Sequence, residues 1–209
     1  SQRKNVLSFL MLSQATPLLM AGDEFGHSTG GNNNAYCQDN KVNWLNWKWD
    51  KQGQELFVFT RELIAFRKKH PILHTKEILR AADYASKGYP DISYHGEQAW
   101  YAQLENYNRH LGIMYCGLYE TKPDGEPDDF IYIAYNMHWV THEFALPILP
   151  KEYDWQIAYG TRPRIEDKQT DELLPVEGQQ QKNVSVAPRS VLVLVGRKAE
   201  KKNESITTL

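Results

Sequence analysis

The sequence predicts an α/β segment followed by an antiparallel, all-β domain. Two observations carry this. Apolar residues recur three and four apart up to about residue 70, then fall into period two or into short β-branched runs. The connections change as well: beyond residue 75 they are turn clusters such as KPDGEPDD, with no helical stretch between the strands. Short strands joined this way favour an antiparallel sandwich. The expected division is 1–75 for the α/β segment and 76–197 for the sandwich, with 198–209 a charged, patternless and disordered tail.

Taken in order, residues 3–14 read as a helix, with Val6, Phe9, Leu10 and Ser13 on one face. Thr16-Pro17 stops it, because the residue before proline avoids the α region. LLMAG, residues 18–22, is a short apolar run ending in glycine, the pattern of a strand buried on both faces of a parallel sheet. A long polar loop then runs from Asp23 to about Asp50, with five asparagines between residues 32 and 43 and the tryptophans Trp44, Trp47 and Trp49. Loops of this length inside a compact protein tend to be functional. Residues 53–69 repeat Leu56, Phe59, Leu63 and Phe66 at helical spacing, and Arg67, Lys68 and Lys69 complement the C-terminal dipole before Pro71 ends the helix. ISYHG (92–96), LGIMYC (111–116), FIYIAYN (130–136), THEFALP (141–147), DWQIAY (154–159) and SVLVLVG (190–196) read as strands.

Composition narrows the function. Of 209 residues, 41% are hydrophobic and 12% aromatic, enough for a real core. A formal charge of −2 argues against a nucleic-acid partner, whose phosphates call for Lys and Arg. No apolar run reaches the roughly 18 residues of a membrane span, and Val6–Ala21 lacks a signal-peptide cleavage pattern. Cys37 and Cys116 match no metal or redox spacing, so a reduced, cytoplasmic pair is expected ahead of a single disulfide. SQRKNVLSFLML starts without an N-cap, which suggests a chain cut from something longer.

Few residues look chemical. Asp23 and Glu24 are adjacent, and neighbours on a strand point to opposite faces. A retaining glycosidase pair needs carboxyls facing each other at about 5 Å, so one of the two is expected only to make hydrogen bonds at the end of its strand. Of seven histidines His138 and His142 have a metal-like spacing, and it is weak, so the set is expected to be solvated or satisfied at the surface. No nucleophile elbow or phosphate loop is present. Tyr36, the tryptophans and the asparagines together suit sugars, whose C–H faces stack on rings and whose hydroxyls pair with amides. For the tryptophans, packing onto the next helix is the stronger expectation. For the asparagines sugar binding is stronger, with turn formation open for Asn32 and Asn33.

SQATPLLMAGDEFG followed by GNNNAYCQDN resembles the end of the catalytic barrel in the isoamylase and glycogen debranching enzymes of the α-amylase superfamily. HPIL, PDISYHG, DDFIYIAYN and APRSVLVLV are similar to the C-terminal β-sandwich of the same enzymes, and Ala15 departs from their usual glycine. The resemblance implies the last helix–strand–helix of a (β/α)₈ barrel joined to an antiparallel sandwich. It implies a parent enzyme that hydrolyses α-1,6 branch points by a retaining mechanism, with a branched α-glucan as partner. The catalytic carboxylates of such enzymes would lie before Ser1, so no catalytic residue, metal ligand or cofactor carries over, and the chain alone is expected to be inactive. What carries over is a substrate rim: Asp23, Glu24, Asn32, Asn33, Asn34, Tyr36 and Asp39. Two other readings stand. One is a carbohydrate-binding or barrel-stabilising module built on Trp100, Tyr101, Trp139 and Trp155; the other is a pullulanase-type or trehalose-pathway relative. Barrel helices without their neighbours are expected to pack on the sandwich or on a second copy of the chain.

Overall fold

The computed structural model describes residues 2–162, 174–175 and 182–198. The expected tail lies outside them apart from Lys198. Two helices come first, α1 (Gln2–Leu12) and α2 (Lys51–Lys69), then a 3₁₀ turn at Pro71–His74. The strands are β1 (Ile92–His95), β2 (His110–Tyr115), β3 (Phe130–Asn136), β4 (His142–Ala145), β5 (Tyr153–Gly160), β6 (Leu174–Pro175), β7 (Lys182–Val186) and β8 (Ser190–Lys198). They form a five-stranded sheet ordered β1-β2-β3-β8-β5 and a three-stranded sheet ordered β4-β7-β6, with every pairing antiparallel. Among the described residues no helix is long and apolar enough to cross a membrane.

The central strands show why the architecture has layers. β3 and β8 are apolar on both faces. Phe130, Tyr132 and Ala134 point one way with Leu192 and Leu194, meeting Phe144, Val184 and Val186 of the small sheet. Ile131, Ile133 and Tyr135 point the other way with Val191, Val193 and Val195, and there they meet Leu12, Ile72 and Leu73 of the helical segment. Strict alternation along a strand sends successive residues to opposite faces. A strand covered on both faces therefore loses its polar positions, even in an antiparallel sheet.

The helical segment packs on the sheet, one of the two places expected for it. Leu7 and Met11 of α1 pack against Leu56, Phe59 and Leu63 of α2. Asp50 starts α2, its carboxylate accepting the Gly53 N–H at 2.8 Å. Arg67, buried near the other end, donates to the carbonyls of Met11 (2.7 Å), Ser13 (2.6 Å) and Ala15 (2.9 Å). Met11 is among the carbonyls that the end of α1 leaves unpaired, and Ser13 and Ala15 belong to the bend that follows it. Three residues on, His70 Nδ1 meets Asp128 at 2.9 Å, and the second Asp128 oxygen takes the Ile72 N–H at 3.0 Å.

The strand expected at 18–22 is not formed, which corrects the helix–strand–helix reading. Residues 16–20 belong to no strand, and the chain then turns, with Asp23 N–H on the Met20 carbonyl (3.1 Å) and His27 N–H on that of Gly22 (2.9 Å). Leu18 is 89% and Met20 73% exposed. A strand buried on both faces needs ladder partners on either side, and among the described residues none lies alongside. Two strands, β6 and β7, went unread. In KNVSV only Val184 and Val186 turn inward, too short an alternation to signal itself.

Two histidines correct the expectation of surface positions: His70 and His95 are fully buried. His95 Nδ1 accepts the Trp100 N–H (2.8 Å), so its proton sits on Nε2 and is donated to Ser93 Oγ (2.9 Å). Burial pushes its pKa down to about 4. The unfolded chain, with an ordinary imidazole near 6.5, then takes up a proton first as the pH falls. This stability is complete above about pH 6.5 and is lost as the pH drops toward 4, by roughly 3 kcal/mol. The urea midpoint should fall across that window, and His95→Gln should flatten much of the fall. Arg67→Ala should lower stability by about 3 kcal/mol in the same assay, because three carbonyls lose their donor. Arg67→Lys should recover only part, since an ammonium lacks the planar fork.

Candidate functional site

The loop between α1 and α2 is organised by its own amides. The Asn32 carboxamide oxygen accepts the Asn34 N–H at 2.9 Å, that of Asn34 accepts the Tyr36 N–H at 3.4 Å, and that of Asn40 the Val42 N–H at 2.9 Å. These are side chains standing in for backbone turns. Asn32 also donates to Gln38 at 3.3 Å, and Asn43 to the Ala35 carbonyl at 3.1 Å. The turn role left open for Asn32 is therefore present, and Asn34 shares it. Asn33 and Asn34 are exposed, and Tyr36 is 84% exposed.

Asp23 and Glu24 sit in a turn rather than on a strand. Asp23 is exposed; Glu24 folds back so that its carboxylate accepts the Gly22 N–H at 2.7 Å. Gly22 has φ +102°, and a Cβ there would lie 2.6 Å from that of His27, so only glycine allows this turn. Asp39 accepts the Trp44 indole N–H at 2.8 Å. It thereby orients a ring that is 56% exposed.

Trp49 and Trp47 divide the expectation of packing. Trp49 stacks on Phe25 at 4.7 Å and meets Phe57 of α2 at 4.8 Å, as a packing residue should. Trp47 touches the same group at 5.8 Å from Phe25 yet remains 71% exposed. Trp44 and Trp47 are thus not core residues.

Beside the loop lies a cleft of about 450 Å³, walled by Phe25, His27, Ser28, Lys41, Trp44 and Asn46, with Lys48, Trp49, Asp50 and Gly53 closing it. Ring faces, a hydroxyl, an amide and two ammonium groups (Lys41 and Lys48) face one space, a combination suited to a polyhydroxylated ligand. Its one carboxylate, Asp50, is the cap of α2. The cleft therefore holds no acid–base pair. None of the seven residues singled out from sequence lines it; Asp39 reaches it only through Trp44. The wall residues His27, Ser28, Lys41 and Lys48 were missed, as isolated polar residues in a loop carry no pattern. The Trp44 ring, weighed as packing, was the available signal.

No protein-family profile matches the chain. Over 68 residues, 32% of this chain and 10% of the relative, it is 56% identical to a glycogen debranching enzyme of Erwinia tasmaniensis. The chain resembles the C-terminal part of a debranching enzyme. Solved structures agree at the level of fold. A pullulanase from Paenibacillus barengoltzii, in complex with maltohexaose and α-cyclodextrin, superposes with a TM-score of 0.59 at 22% identity, over 92% of this chain and 24% of that one. The pullulanase from Bacillus acidopullulyticus gives 0.58 at 18%, over 92% and 20%. An α-amylase from H. orenii gives 0.54 at 12%, over 93% and 35%. The chain thus spans about a tenth of the curated relative and a fifth to a third of these structures.

Neither cysteine is bonded: Cys37 is exposed in the loop and Cys116 is buried. Burial pushes the Cys116 thiol up to about 12, far from its reactive thiolate form. A thiol reagent at pH 8 should label Cys37 alone in the native chain, and both cysteines in denaturant.

Proposed function

We propose that this chain is the C-terminal part of a cytoplasmic glucan-debranching hydrolase, and that the loop from Asp23 to Asp50 is one rim of its substrate cleft. On this reading residues 1–75 are the last portion of a (β/α)₈ barrel and 76–197 its sandwich. LLMAG is then a barrel strand, unpaired here because its neighbours are supplied from elsewhere. That accounts for exposed apolar side chains in a segment whose sequence asks for burial on both faces. The parent enzyme cleaves α-1,6 branch linkages with retention, using carboxylates outside this chain.

The observation that carries the reading is the cleft itself: aromatic faces and polar donors without a free carboxylate pair. It can hold a sugar but has nothing to cleave it with. Asp23, Asn33, Asn34 and Tyr36 project from the rim as further contacts, Asn32 and Glu24 hold the loop's turns, and Asp39 sets the angle of Trp44. A single strand's loop is only a share of a barrel site, so affinity in isolation is low.

Two assays on the chain test this. Incubation with glycogen should release reducing ends no faster than buffer alone; measurable release would overturn the inactive reading. Calorimetric titration with maltohexaose should give a Kd no tighter than about 1 mM, near −4 kcal/mol. Tight, saturable binding that disappears in Trp139→Ala would instead make the sandwich a binding module in its own right.

A further inference from the structure

Three side chains far apart in sequence converge where β2, β4 and the turn after β1 meet. His110 is the first residue of β2 and His142 the first of β4, while Glu97 lies in the turn. Their ligand-type atoms all lie within 4.8 Å of one another. The imidazoles of His110 and His142 stack with centroids 4.4 Å apart, and His142 Nδ1 stands 2.5 Å from the Glu97 carboxylate. The Nε2 atoms of both histidines are buried without a hydrogen-bond partner. Buried polar atoms in that condition cost stability, and the arrangement asks for something to fill it.

We propose that Glu97, His110 and His142 form a binding site for a divalent transition-metal ion of the zinc class. Two imidazoles and one carboxylate are a donor set that such an ion accepts in tetrahedral geometry, at about 2.0–2.2 Å from each ligand atom. The fourth position goes to water. His138 is edge-on to His142 at 5.1 Å, but its Nδ1 already accepts the Val140 N–H at 3.3 Å. The ligand atoms bind in their deprotonated form, so any proton that one of them carries leaves to solvent.

The backbone under each ligand is already fixed. His110 pairs with Asn136 in the β2–β3 ladder, and His142 with Val186 in the β4–β7 ladder. The Glu97 carbonyl accepts the Ala145 N–H at 3.0 Å, tying the turn to β4. Only side-chain rotations are needed to close the site, so little ordering opposes the ion. The ligands come from both sheets, so the ion would staple one to the other at this end.

The other histidine–carboxylate cluster, His70 with Asp128 and Asp129, does not compete. Asp128 already accepts from His70, Ile72 N–H and Asp129 N–H, and Asp129 pairs with Lys122 (3.3 Å) and Arg197 (3.2 Å). Two cations already occupy the space an ion would need.

The test uses the untagged full chain carrying Cys37→Ser, stripped with chelator and titrated with Zn²⁺ alone. One Zn²⁺ should bind per chain, and saturation should raise Tm by roughly 5 °C. Glu97→Gln and His110→Asn should each weaken binding by about 100-fold, while His74→Asn should leave it unchanged. Should a variant fail to fold, Co²⁺ added to the parent chain decides the matter by NMR, with paramagnetic broadening centred on Glu97, His110 and His142. Absence of Zn²⁺ binding at millimolar concentration, binding unaffected by Glu97→Gln and His110→Asn, or broadening centred elsewhere would each overturn the site.

Discussion

Arg67 is the contact on which the rest of this structure depends. A helix that stops leaves carbonyls without donors, and α1 stops at Leu12 with no glycine to turn its last carbonyls inward. A guanidinium from the last turn of α2 donates to Met11 at that end and to Ser13 and Ala15 in the bend beyond it. Its positive charge lies at the negative end of the α1 dipole, a favourable place. Burial lowers its pKa, yet arginine starts high enough to stay charged. Three residues later His70 clamps the same chain end to Asp128 ahead of β3. One stretch of four residues thus joins α1, α2 and the large sheet.

That junction explains the double-faced strands. β3 and β8 can be apolar throughout only because something covers the second face, and the helical segment does so through Leu12, Ile72 and Leu73. If Arg67 and His70 released α1 and the 3₁₀ turn, Ile131, Ile133 and the three β8 valines would face water. Buried apolar area of that kind is worth roughly 25 cal/mol per Å². The polar clamps are therefore supports for a hydrophobic contact larger than themselves.

The parts legible in the sequence were those whose signal is local. α2, β3 and β8 announced themselves through a stripe or a run, because core contacts on known faces impose those patterns. LLMAG had an equally clear signal and proved misleading: among the described residues no strand pairs with it, and Leu18 and Met20 stay exposed. KNVSV failed for the opposite reason, as two inward valines are too few to register. At the candidate site the amide-rich stretch drew the eye, correctly as a loop. Yet Asn32, Asn34 and Asn40 spend their side-chain oxygens on turns, and the cleft is walled by single residues such as His27, Lys41 and Lys48. Convergence of Glu97, His110 and His142 was invisible for the same cause: strand pairing, not spacing, brings them together.

The ties between the helical segment and the sheet also bear on how the chain assembles. Tyr115 reaches back 103 residues to the Leu12 carbonyl, and Asn5 reaches 184 residues forward to that of Arg189. Closing such long loops costs entropy before any contact returns it, whereas the hairpin of β2 and β3 closes over a short span. Loop-closure entropy thus favours the β2–β3 pairing ahead of the ties that α1 makes to distant residues.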